Sequence, residues 1–139
     1  MSNEHRRRIQ LAIACEGEVI PRRHFGDCPQ FRVYELYENG EYHLVETIDN
    51  TSPEEERHAD PKKLKGVTGL LSGCEAVVSG VLSPNFMRMR DTKPIQPVVS
   101  KKETVAETLA ALAESFEDLF RLVSARRQGE RPEVILQVE

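Results

Sequence analysis

No window of the 139-residue chain approaches the roughly 18 consecutive apolar residues that a membrane-spanning helix requires. Cysteine is scarce too. Cys15, Cys28 and Cys74 are an odd set without framework spacing, which fits a reducing compartment better than a disulfide scaffold. The chain contains no Cys-x-x-Cys pair and no His/Cys cluster with zinc spacing, so a closed tetrahedral centre is not expected. An excess of basic residues is also missing. The net charge of −4 argues against general nucleic-acid binding, which needs a basic face to neutralise phosphates. The opening residues, MSNEHRRRIQLAIACEG, combine a basic start with an apolar run. That run covers only residues 9–15, contains Gln10 and leads to no cleavage pattern, so the sequence reads as cytoplasmic rather than secreted.

What is present suits one α/β domain. Hydrophobic content of 39% beside 30% charged residues supports an ordinary core, and the length leaves no room for a second full domain. Alternation of Ile9, Leu11 and Ile13 with Gln10, Ala12 and Ala14 predicts a first strand over 8–15. Two β-rich runs, 31–37 and 42–48, flank Asn39-Gly40 and predict an antiparallel hairpin. A polar loop over 49–60 and a helix from Asp60-Pro61 to Gly73 follow. Residues 75–82, nearly all apolar or small, predict a central strand buried on both faces. Ser83-Pro84 opens a short helix carrying Phe86, Met87 and Met89. A fifth strand follows in KPIQPVV, where Pro97 points to an edge position. Ser100-Lys-Lys-Glu103 reads as a capping box for one long amphipathic helix over 104–127, with an apolar stripe from Val105 through Leu109, Leu112, Phe116, Leu119 and Phe120 to Val123. The tail RPEVILQVE has the β-branched character of a short sixth strand. Together these elements predict a mixed sheet with helices on both faces.

The segments IQLAIACEGEVI, HFGDCPQFRVYEL and LLSGCEAVVSGVLSPN, in this order and interleaved with the hairpin and a fifth strand, resemble the dinitrogenase iron–molybdenum cofactor biosynthesis family of NifX-like and NafY-like accessory proteins. The resemblance covers about residues 8–112, its most specific element being the His24-Phe25-Gly26 loop ahead of an aromatic-rich strand. It implies a three-layer α/β/α RNase-H-like fold with a five-stranded mixed sheet. It also implies a cofactor-binding domain over 8–112, with 113–139 as a helical extension and tail, and a non-catalytic carrier of iron–molybdenum or iron–sulfur cofactors that works with cofactor-assembly proteins. On that resemblance the cofactor-binding histidine falls on His24.

Several residues have the chemistry such a carrier needs. His24 and Cys28 stand four apart, and imidazole and thiolate both suit iron and iron–sulfur clusters, so they form the expected metal pair. Cys15 closes the first strand at the end where open α/β sheets bind ligands. Arg22 and Arg23 would attract an anionic cluster, and the helix start at Ser83 and Asn85 offers free backbone N–H groups to the same charge. The alternative for the loop is that its glycine and histidine only shape a turn. Metal-dependent nuclease chemistry needs carboxylates on the central strands, and IQLAIA has none. A cargo-free interaction module is the remaining rival, with Phe116, Leu119, Phe120 and Val123 forming a partner or homodimer surface.

Overall fold

In the computed structural model, which describes residues 7–50, 69–71 and 73–139, the strands are β1 (Arg8–Cys15), β2 (Gln30–Tyr37), β3 (Tyr42–Asp49), β4 (Ala76–Ser79), β5 (Gln96–Ser100) and β6 (Leu136–Val138). The helices are α1 (Pro84–Thr92), α2 (Val105–Glu114) and α3 (Phe116–Arg127). All six strands join one sheet in the order β3-β2-β1-β4-β5-β6. The first three pair antiparallel, while β1, β4, β5 and β6 run parallel. The tail strand thus makes the sheet six-stranded rather than five-stranded. Most of the helix expected before Gly73 lies outside the described residues, although Gly69 and Leu70 are helical and Leu71 is buried.

Period-2 alternation in β1 divides its side chains between two cores. Ile9, Leu11, Ile13 and Cys15 pack with Val105, Leu109, Leu112, Phe116, Leu119 and Val123 of α2 and α3. Ala12 and Ala14 face Phe25, Phe31, Phe86 and Met89, so α1 covers the other face. The small alanines leave room for the aromatic rings. Each fully buried Leu, Ile or Phe contributes roughly 1.5–3 kcal/mol, so both faces bind their helices firmly. At the hairpin, Gly40 adopts φ 91, which a tight turn after Asn39 requires.

Three local expectations are corrected. Pro97 does not mark an edge, because β5 lies between β4 and β6. Gln96 donates its N–H to Glu75 on the β4 side, so the next residue turns its missing donor toward β6, where pairing begins only at Val98. The cap of α2 is Thr104 rather than Ser100: its Oγ1 accepts from the Glu107 N–H at 3.2 Å and donates to the Glu107 carboxylate at 2.9 Å. Ser100 instead ends β5, buried, with its hydroxyl 2.7 Å from that of Thr108. The long helix is two helices meeting at Ser115 (φ −102, ψ 17), which lets α3 bend back onto the sheet. Phe116, Leu119 and Val123 are consequently at most 3% exposed and belong to the chain's own core.

Candidate functional site

Because β1, β4 and β5 are parallel, their carboxyl ends share one edge of the sheet with the start of β2 and the N-terminus of α1. The segment 16–29 leaves β1 after Cys15 and crosses this edge before re-entering at Gln30. Its first four residues fold on themselves through Glu16 N–H to Val19 O (2.9 Å) and Val19 N–H to Glu16 O (3.1 Å), with Gly17 at φ 61 making the turn. Ile20 then donates to Glu103 O and Glu18 accepts from Val105 N–H, tying the segment to the start of α2.

Phe25–Asp27 form a single 3-10 turn preceded by His24 in extended backbone (φ −57, ψ 145). Phe25 is the anchor. Its buried ring lies 4.9 Å from Phe31 of β2 and 5.3 Å from Phe86 of α1, centroid to centroid. The His24 carbonyl accepts from Asp27 N–H at 3.0 Å and from the Cys28 thiol at 3.5 Å. Asn50 adds donors to Gly26 O (2.7 Å) and Cys28 O (2.8 Å). The imidazole-bearing residue itself is half-buried on this pinned loop.

Cys15 and Cys28 are both buried, and their thiols are held in the protonated form. Burial pushes Cys28 up to about 12, the neighbouring Cys15 adds to the rise, and Arg23 opposes it. Burial likewise raises Cys15, against Arg32. Cys74 lies at the other end of β4 within the core, pushed up by burial to about 11. Arg23 sends its guanidinium toward Glu16 at 3.7 Å, both side chains more than half exposed, while its carbonyl accepts from Ser79 Oγ at 3.4 Å.

The other predicted residues are occupied locally. Ser83 caps α1, its buried hydroxyl accepting from Phe86 N–H at 3.2 Å, and Asn85 accepts from Arg88 at 3.1 Å. Arg22 is committed to the fold, donating to Gly80 O (3.0 Å), Ser100 O (2.9 Å), Lys101 O (2.9 Å) and Lys102 O (3.4 Å). Sequence reasoning missed the pairing of Glu16 with Arg23, and the need for glycine at position 80. A side chain there would meet Pro21 O at 2.6 Å.

His24, Arg23, Cys28, Cys15 and the Ser83 turn therefore do gather at one sheet edge. Among the described residues, no three His, Cys, Asp or Glu side chains converge to hold a metal ion, and no helix is long and apolar enough to cross a membrane. No curated protein matches the chain. A family model described as dinitrogenase iron-molybdenum cofactor matches residues 7–115. The chain belongs to this dinitrogenase iron–molybdenum cofactor family, NifX-like accessory proteins of iron–molybdenum cofactor biosynthesis.

Proposed function

We propose that the chain is a non-catalytic carrier, or chaperone, for an iron–molybdenum or iron–sulfur cofactor or its precursor. The cargo is taken up at the sheet edge beside His24, Arg23, Cys15, Cys28 and the turn at Ser83 and Asn85. The observation that carries this reading is family membership across 7–115, reinforced by the gathering of those residues at one edge. Imidazole nitrogen at His24 supplies the leading iron ligand. Cys28 joins it as the second metal ligand once its thiol gives up both its proton and its contact with the His24 carbonyl, so loading involves movement of the loop. Arg23 draws the anionic cargo toward the edge, in competition with Glu16. An open two-ligand site suits a protein that must release what it holds.

The reading extends to context. Cargo passes to and from cofactor-assembly proteins in the cytoplasm, and the domain is RNase-H-like, a proposal supported by the mixed sheet with helices on both faces. Residues 113–139 extend the 8–112 domain, in keeping with a family match that ends at 115, and share its core through Phe116, Leu119 and Val123 and its sheet through β6. The rival of a cargo-free module assembling through the C-terminal helix has less support, because Phe116, Leu119 and Val123 are buried within the chain and Phe120 alone of the four is half-buried.

Protein isolated without oxygen from cells rich in iron–sulfur clusters tests the proposal by elemental analysis and visible absorption. Bound iron with charge-transfer bands is the expected result. Metal-free, colourless protein that also takes up no cluster on anaerobic reconstitution would sink it.

A further inference from the structure

Adjacent parallel strands whose outgoing connections turn to opposite faces leave a crevice between their carboxyl ends, and open α/β sheets take ligands there. In this sheet that pair is β4 and β5. After β4 the chain enters α1, whose Phe86 and Met89 pack with Phe25 and Phe31 on one face; after β5 it enters α2, whose Val105, Leu109 and Leu112 pack with Ile9, Leu11 and Ile13 on the other. The guanidinium of Arg22 lies across this divergence. Nη1 donates to Gly80 O at the exit of β4 and to Ser100 O at the exit of β5, while Nη2 donates to Lys101 O and Lys102 O. Two nitrogens thus collect four main-chain carbonyls from two separate loops, a task for which a planar fork is far better shaped than an ammonium.

The close fit explains Gly80. A Cβ there would come within 2.6 Å of Pro21 O and 3.1 Å of Arg22 Nη1, so the space, rather than the backbone angle, demands glycine. The next residue is tied to the same strand, Arg23 O accepting from Ser79 Oγ, and His24 follows immediately.

We propose that Arg22 is a latch: it takes the place of a ligand in the β4–β5 crevice and thereby fixes the position of the His24 loop on the sheet edge. Arg22 is a positioning residue, acting on the candidate ligand through two residues of backbone. The inference deepens the carrier reading and rests on it only for the use to which the loop is put.

Hydrogen exchange on the full chain tests the latch without any cargo. In Arg22→Ala, the Asp27 and Cys28 amides, which bond to His24 O and Phe25 O, should lose protection by roughly tenfold, the loss expected when charge-assisted hydrogen bonds are removed. The Leu11 and Val33 amides in the middle of the sheet should be unchanged. Sub-denaturing guanidinium chloride should restore the protection by refilling the crevice with the same cation, and an equal concentration of urea should not. Unchanged protection in Arg22→Ala, or a loss that guanidinium fails to reverse, overturns the proposal. Should Arg22→Ala not fold, Arg22→Lys carries the test, since an ammonium cannot bridge both loops in the same way. A local loss over 20–28 then supports the latch and wild-type protection overturns it. Gly80→Ala, which pushes Pro21 and Arg22 outward, should reproduce the local loss. Failure of wild-type protein to take up cluster would defeat the carrier reading while leaving the exchange result intact, so the two failures are distinct.

Discussion

Arg126 and Arg22 each gather oxygens from segments far apart in the chain, one sealed inside the molecule and the other at its surface. Arg126, 2% exposed, donates to Gln96 Oε1 (2.8 Å), Arg90 O and Lys93 O (both 2.9 Å) and Pro132 O (3.1 Å). It joins the end of α1, the start of β5 and the tail with neutral acceptors alone, and burial lowers its pKa to about 10. Arg22 makes the same kind of bonds from an exposed position, where water can replace each carbonyl. The difference teaches that the same fork of donors serves as a permanent joint when desolvated and as a releasable one when wet. That division matches their places. Arg126 lies at the amino-terminal end of β5, the opposite end of that strand from Ser100, whereas Arg22 sits beside the residues proposed to meet cargo.

Breaking the buried joint gives the largest expected effect. Arg126→Met keeps much of the apolar stem but leaves four acceptors without their donor, and should cost roughly 3 kcal/mol of stability by denaturant titration. Arg22→Ala should leave the global midpoint near that of wild type. Equal global losses in the two variants would break the comparison.

Alkaline pH probes burial with groups of the opposite kind. An unfolded thiol ionises near 9, whereas Cys28 in the folded chain holds its proton to about 12 and Cys74 to about 11. Folded pKa values raised in this way give stability that is full below pH 9 and is lost as pH climbs toward those values. A loss on the order of 2 kcal/mol per thiol is expected over roughly the first two units above pH 9, and Cys28→Ala should remove the share of Cys28 while leaving that of Cys74. A stability curve with the same slope in that variant would show that Cys28 is not the group responsible.

The smallest effect sharpens the picture at the start of α2, which lies between the carbonyls held by Arg22 and the Glu18 carbonyl that accepts from Val105. Thr104→Ala removes the cap and should cost about 1 kcal/mol, read from thermal or denaturant midpoints. Ser100→Ala should act differently, by leaving the buried Thr108 hydroxyl without its partner.

The fold was readable in the sequence wherever one physical cause acted alone. The period of two in 8–15, the positive-φ turn at Gly40 and the Ser83-Pro84 helix start each specify their element with local chemistry. Errors arose where two causes competed. The apolar stripe of 104–127 keeps its phase through Ser115, so periodicity could not reveal the break. Ser100…Glu103 and Thr104…Glu107 are consecutive capping signatures, and the choice between them depends on how far β5 extends. Pro97 reads as an edge residue until its register against β6 is known. At the candidate site, residue types were visible but their commitments were not. Nothing local in Arg22-Arg23 says that one guanidinium meets four carbonyls contributed by residues 58 to 80 positions away, while its neighbour faces Glu16.

The central claim is that the half-buried His24 on its pinned loop grips a metal–sulfur guest, and anaerobic titration of the full chain with a preformed iron–sulfur cluster tests it most directly. Followed by charge-transfer absorption, wild-type protein should bind and His24→Ala should bind at least tenfold more weakly, with secondary structure unchanged. Identical titration curves for the two proteins would contradict the account.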